Sequence, residues 1–219
     1  MKQCVVACQT LQDELEYVLG TLRKKLDVIW IESGLHNTPK KLHLRLQETL
    51  DGIDGYDRVF LLFGLCGNAV LGLTAGNFHM IIPKVDDCIS LLIGSQAQRD
   101  KIGREKAVYF LTNGWLRGER NLWVEYQYSI QKYGKETADD IAKTMYGHYK
   151  VLGLLDTPAA PIEQLVEKTK IISETFELEQ IILPATTQYI KELFSGVWTT
   201  EKFVIIQPRC KVRETDFLI

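Results

Sequence analysis

The sequence predicts an α/β protein: a mostly parallel sheet with helices on both faces, and a helical, aromatic-rich segment in the second half. Three observations predict it. Apolar runs without alternation, such as Arg58-Val-Phe-Leu-Leu-Phe63, read as strands covered on both faces. Such runs are followed by turn residues and then by amphipathic stretches of helical length. Their alternation along 219 residues is the pattern of parallel strands joined by crossover helices. The reading is one α/β domain over residues 1–219, long enough to bury roughly 70% of its unfolded surface.

In order, residues 5–7 begin a strand and 13–19 an amphipathic helix. Residues 26–31 form a second strand, and 32–39 a polar loop. Thr38 and Pro39 supply an N-cap and first position for a helix through Leu50. The central strand, 58–63, ends in a tight turn marked by Gly64, Gly67 and Asn68, and residues 69–73 begin a helix. Residues 79–83 are the fourth strand, and Asp86 or Asp87 caps a helix over 88–95. Residues 107–111 make a fifth strand, with a loop over 112–118. Residues 119–148 turn helical and aromatic, with Trp123, Tyr126, Tyr128, Tyr133 and Tyr146, and Gly134 divides two helices. A strand over 150–157 follows, and Pro158 and Pro161 lead into a helix to Ser173. Residues 179–183, 187–194 and 202–206 form a last strand, helix and strand.

Apolar residues at 46% and charged ones at 25% are ordinary globular values. A net charge of −2 gives no general attraction to nucleic acid or anionic membrane. No apolar run approaches the roughly 20 residues that span a bilayer. Met1-Lys-Gln-Cys-Val-Val-Ala-Cys8 reads as a first core strand rather than a signal peptide, so the expected compartment is cytoplasmic. Five cysteines, an odd count in a chain too large to need staples, point to reduced thiols, a metal site or reactive thiols.

The chemistry concentrates at three strand exits: Val5-Val-Ala-Cys8, Phe60-Leu-Leu-Phe-Gly-Leu-Cys-Gly-Asn68 and Ile81-Ile-Pro-Lys-Val-Asp-Asp-Cys-Ile-Ser90. A single free cysteine is most often core filling. Three at the carboxyl ends of parallel strands converge on the edge where open α/β sheets place ligands. Cys8, Cys66 and Cys88 are therefore the candidate metal ligands. Cys4 lies roughly 13 Å back along an extended strand, at the opposite edge, and Cys210 reads as incidental. Zinc with three protein ligands keeps a position open for chemistry. A four-iron cluster normally takes four cysteines, and with three its fourth iron is free to bind substrate as a Lewis acid. Close-spaced cysteine pairs of the zinc-ribbon kind are absent. Asp87, His36 and His79 are the candidates for a fourth ligand.

Cys88 at a helix start has its thiolate favoured by the helix dipole, which keeps a cysteine–histidine hydrolase as a rival, with His36 or His79 as base. No family-specific nucleophile signature surrounds any cysteine. The glycines over 64–72 match neither the dinucleotide nor the P-loop pattern and read as a tight strand exit. Gly67 and Asn68 within it are candidates to face a cofactor. Arg117 and Arg120 are candidate anion contacts against a background of ordinary solvated charge. The aromatics after Trp115 read as helix core rather than a stacking platform.

Five blocks carry a resemblance: His36-Asn-Thr-Pro39, Gly55-Tyr-Asp-Arg58, Gly64-Leu-Cys-Gly67, Asp86-Asp-Cys-Ile-Ser-Leu-Leu-Ile-Gly94 and Tyr109-Phe-Leu-Thr-Asn-Gly-Trp115. Together the chain resembles, over nearly its whole length, the bacterial and archaeal family catalogued as domain of unknown function 1638. The resemblance implies that cysteines matching Cys8, Cys66 and Cys88 recur, while Cys4 and Cys210 are particular to this chain. It also implies a setting in anaerobes, some members lying near genes for corrinoid-dependent methyl transfer. A looser likeness, on cysteine count and strand-end placement, is to enzymes with three-cysteine four-iron clusters such as quinolinate synthase and the thiouracil desulfidases.

The expectation is a cytoplasmic metalloprotein whose Cys8, Cys66 and Cys88 hold an iron–sulfur cluster (4Fe-4S), with zinc as the alternative. Its open position would bind a small polar substrate in a lyase- or desulfidase-like reaction. Asp87 would orient or exchange protons, and Arg117 would contact an anion. A second expectation is a non-catalytic accessory that binds a metal or corrinoid for a methyltransferase partner. A third is a plain scaffold with three core thiols.

Overall fold

Apolar runs bounded by turn residues become eight strands in the computed structural model, which describes residues 1–218. Five of them, β1 (Gln3–Cys8), β2 (Asp27–Ile31), β3 (Arg58–Leu62), β4 (His79–Pro83) and β8 (Phe203–Ile206), form one sheet in the order β2-β1-β3-β4-β8. The first four are parallel, and β8 closes the edge antiparallel to β4. The order reverses between β1 and β3, so a crevice opens beyond the carboxyl ends of those two strands.

Successive residues of a strand face opposite sides, and here both sides are covered. Cys4, Val6, Val59 and Leu61 pack with Leu42, Leu46 and Leu50 of α2 (Pro39–Asp51). Val5, Ala7, Phe60 and Leu62 pack with Leu15 and Val18 of α1 (Gln12–Thr21), α3 (Cys88–Ile93) and α9 (Gln188–Leu193). Two buried faces explain runs with no polar alternation.

β5 (Val108–Leu111), β6 (Val151–Asp156) and β7 (Glu179–Pro184) form a second, wholly parallel sheet instead of extending the first. The edge beyond β4, where another parallel strand would add, is occupied by β8. The second sheet docks through the face that carries α1 and α3. Leu155, Leu183 and Phe110 join that core, and the Thr186 amide donates to the Leu92 carbonyl at 2.7 Å.

Several boundaries follow the local chemistry. Asp87 caps α3, and Gly94, at φ +97°, ends it. Gly134, at φ +82°, separates α6 (Leu122–Tyr133) from α7 (Lys135–Tyr146). Pro39 opens α2, although the Thr38 side chain makes no cap bond. Residues 69–73, expected to begin a helix, form turns: the Gly72 amide bonds the Val212 carbonyl and the Ala75 amide bonds Cys210, so the backbone is paired across the chain. Residues 33–37, expected as a loop, form a short 3-10 helix. The helices α4 (Gln96–Glu105), α5 (Asn113–Arg117) and α8 (Ile162–Thr175) complete the fold. Among the described residues no helix is long and apolar enough to cross a membrane.

Candidate functional site

Backbone pairing beyond the strand ends draws the three cysteines together. The Leu65 amide donates to the Val85 carbonyl and the Cys66 amide to the Asp86 carbonyl, both at 2.8 Å. This keeps the exits of β3 and β4 zipped. The approach requires glycine at 64, where a Cβ would stand 2.7 Å from the Asp87 nitrogen. The chain then turns left-handed at three consecutive residues: Cys66 at φ +47°, Gly67 at +67° and Asn68 at +70°. For a cysteine that conformation costs about 1–2 kcal/mol. Such strain persists where the surroundings over-determine it, and it concentrates at functional sites.

Cys8, Cys66 and Cys88 line one enclosed cavity at the β1–β3 crevice, together with Thr10, Leu42, Leu62, Phe63, His36 and Trp115. Its free volume is about 20 Å³, room for roughly one water molecule. The Thr10 hydroxyl, itself buried, donates to Cys8 Sγ at 3.1 Å. Among the described residues, no three cysteine, histidine or acidic side chains are grouped tightly enough to hold a single metal ion as they stand.

Burial pushes all three thiols up, Cys66 to about 12. Cys66 keeps some exposure through its turn, but its thiol is surrounded by protein. After burial the main contributors are the thiols themselves: Cys8 raises Cys66, and both raise Cys88. Burial and neighbouring sulfurs thus outweigh the dipole of the short α3, so the Cys88 thiol is held well above its ordinary pKa, against the expected dipole-favoured thiolate. Among the described residues no lysine or arginine lines the cavity. Ionising the three sulfurs together needs a cation among them.

His36 and Trp115 form the side of the cavity facing the second sheet, their rings 5.0 Å apart. His36 Nδ1 donates to the Ser33 carbonyl, which fixes the tautomer and leaves Nε2 with its lone pair. Burial holds the imidazole below its usual pKa. Trp115 is placed by Gly114, where a Cβ would lie 2.2 Å from the Thr10 carbonyl oxygen. The same two rings also line a larger cleft of about 280 Å³ between the sheets, with Asp87, Arg99, Arg120 and Glu125. In it the Tyr146 hydroxyl donates to Glu125 at 2.6 Å, and the buried Arg99 Nε–H has no partner among the described residues.

The remaining candidates lie elsewhere. Asp87 lines the cleft and not the cysteine cavity. Its Oδ1 accepts from the Ser90 amide and hydroxyl at 2.9 and 2.8 Å, and its other oxygen pairs with Arg99 at 3.3 Å. Arg117 is held by Asp13 through two bonds, 2.8 and 3.0 Å, and lines neither space. Gly67 and Asn68 border a separate groove with Pro39 and His43, on the outer side of the turn. His79 begins β4 opposite Arg58, at the amino-terminal edge of the sheet. Cys4 is buried in β1 beside Asp27 and Val59, four residues before the cavity, and Cys210 is exposed. Sequence reasoning passed over Thr10 as a sulfur partner and Trp115 as a wall. Their signals are a hydroxyl two residues past a strand-end cysteine and a tryptophan directly after a glycine.

The family described as "Protein of unknown function (DUF1638)" matches residues 30–194, a span that contains Cys66, Cys88, His36 and Trp115 and begins after Cys8. Neither the curated proteins nor the solved structures contain a match.

Proposed function

The chain belongs to the DUF1638 family of proteins of unknown function, and we propose that Cys8, Cys66 and Cys88 hold an iron–sulfur cluster (4Fe-4S) that acts on a small polar substrate. The observation that carries this reading is the single cavity lined by all three thiols at the strand-order reversal. The donors are three soft, buried thiols, Cys8 raising Cys66 and both raising Cys88, with no lysine or arginine among the described residues lining the cavity. The free space is smaller than a cluster, so the walls must part to receive it.

When bound, a cluster on three thiolates supplies Lewis acidity at the iron that no cysteine holds. The chain's own residues do the rest. The cleft beyond His36 and Trp115 receives the substrate between its aromatic wall and the charged side chains of Asp87, Arg99, Arg120 and Glu125. Arg120 provides a positive charge there without an ion-pair partner among the described residues, a role that Arg117 does not fill while Asp13 holds it. Asp87 fixes α3, and with it Cys88, by capping, and orients Arg99. The reaction class is a lyase- or desulfidase-like step in the cytoplasm, where thiols stay reduced.

Zinc is the second reading, favoured by the small enclosed volume. Purification without oxygen separates the two. Brown protein with iron and acid-labile sulfide, bleaching in air, supports the cluster. Colourless protein with stoichiometric zinc replaces it. Protein that takes up neither metal, even after anaerobic reconstitution, returns the thiols to the core.

A further inference from the structure

Resting on the proposal that the cleft between the sheets receives the substrate, and on nothing held by the cysteines, we infer that this substrate is a small planar organic carboxylate bound by Arg99 and Arg120. The hydrogen-bonding groups that line the cleft carry the inference. Its carboxylates are already engaged. Asp87 Oδ1 accepts from the Ser90 amide and hydroxyl, while Glu125 accepts from the Tyr146 hydroxyl at 2.6 Å and faces the Asn37 side-chain amide at 3.5 Å. Its donors are not engaged. Arg99 approaches Asp87 at 3.3 Å and Asp100 at 3.9 Å as ion pairs, yet among the described residues its side chain makes no hydrogen bond, and its Nε–H is buried without a partner. Arg120 makes neither an ion pair nor a side-chain hydrogen bond among the described residues. The Tyr109 hydroxyl accepts from the Leu122 amide at 3.2 Å, and its own O–H has no acceptor among them. Asp87 and Glu125 thus balance the charge of the two arginines without using their donors. A surplus of donors, two of them on guanidinium groups, selects a ligand that only accepts and is negatively charged.

The rings say what that charge is attached to. Tyr109, Phe110, Trp115, Tyr146 and Tyr149 line the same space. Tyr109 stands edge-on to Tyr146 and Tyr149, with centroids 6.5 and 5.3 Å away, so these rings hold one another in place. The Arg99 guanidinium lies 5.8 Å from the centre of the Phe110 ring, which sets it beside that wall. Arg120 comes from the side of the 33–37 turn, its Cγ only 3.3 Å from where a Cβ on Gly34 would stand. A flat unsaturated body gains contact with the rings while its carboxylate meets a planar guanidinium fork. Inorganic phosphate offers the charge without the body. The volume of about 280 Å³ keeps the ligand small.

The test uses the full chain labelled with nitrogen-15 tryptophan, with benzoate as the probe and Trp115→Phe to assign the Trp115 indole signal. Benzoate should shift that signal saturably in nuclear magnetic resonance titrations. Benzamide, which has the shape without the charge, and acetate, which has the charge without the ring, should each bind at least about tenfold more weakly. Inorganic phosphate should not displace benzoate. Arg99→Gln and Arg120→Gln should each weaken benzoate and leave benzamide unchanged, an outcome that a merely structural role for either arginine would not give. Benzamide binding as tightly as benzoate, phosphate displacing benzoate, or no saturable shift at Trp115 overturns the inference. Iron and zinc measured on the same sample keep the two readings apart. A chain that holds metal and ignores benzoate overturns the carboxylate and leaves the cysteine centre. A chain that binds benzoate and takes up neither metal overturns the cysteine centre and leaves the carboxylate.

Discussion

Gly64 approaches Asp87 so closely that a Cβ on it would stand 2.7 Å from the Asp87 amide nitrogen and 2.8 Å from the Val85 carbonyl. This contact couples the exit of β3 to the helix that begins with Cys88. It sets the distance between two of the three cavity sulfurs through backbone alone. Gly64→Ala must push the strand exits apart, because rigid backbone faces the new methyl group. The expected cost is about 1–3 kcal/mol of stability, seen as a lower midpoint in chemical denaturation. Metal content after reconstitution should fall with it. A variant with wild-type stability and metal content would show that the exits separate freely.

Cys4 and Cys8 lie on the same strand, and on the same face of the sheet, yet only Cys8 reaches the cavity. Cys4→Ser should leave the metal-to-protein ratio unchanged. Cys8→Ser, Cys66→Ser and Cys88→Ser should each lower it, since a hydroxyl is a poor substitute for a soft thiolate. Equal loss in Cys4→Ser and Cys8→Ser would mean that β1 delivers both to the site, contrary to its register.

Asp87 separates capping from ligation. Asp87→Asn keeps an N-cap acceptor and removes only the charge opposite Arg99, a half-exposed pair worth under about 1 kcal/mol. Metal content should hold. Asp87→Ala removes the cap as well and should cost about 0.5–2 kcal/mol. Complete metal loss in Asp87→Asn, with the fold intact by circular dichroism, would make the carboxylate a ligand after all.

What the sequence disclosed and what it hid divide along a physical line. Strand-end cysteines were legible because parallel strands with crossover connections expose their carboxyl ends on one edge, so Cys8, Cys66 and Cys88 needed no distances to be grouped. Asp87 as a cap and Gly134 as a helix divider were legible for the same reason, being local rules. The split into two sheets was not, because it depends on β8 returning from residue 203 to take the edge beside β4. Arg117 reads as an anion contact from the sequence because the side chain that holds it, Asp13, lies 104 positions earlier. Trp115 was hidden likewise, since what places it is the fit of Gly114 against the Thr10 carbonyl in another part of the chain. The helix α4 has no buried residue, so no apolar period announces it.

Glu14 supplies the last prediction, one about pH. It is almost fully buried on α1 between the two sheets, where the Thr157 hydroxyl donates to Oε1 at 3.1 Å and Oε2 has no partner among the described residues. Burial is the largest influence and raises its pKa above the usual 4.5; Asp13 adds to this and Arg117 opposes it. The folded chain therefore keeps a proton on Glu14 in a range where the unfolded chain has lost it. Stability is unaffected below the unfolded value, falls as pH rises through the window from 4.5 to the raised folded value, and stays at its reduced level above it. Glutamine copies the protonated form and cannot ionise. Glu14→Gln should melt higher than wild type at about pH 8, because the wild-type chain loses stability there on ionising the carboxyl in its unfolded state and the variant cannot. The advantage should disappear at about pH 4, where Glu14 is protonated in both states. Melting curves across this range decide it. A variant less stable than wild type at the higher pH would mean that Glu14 is ionised and paired in the folded protein.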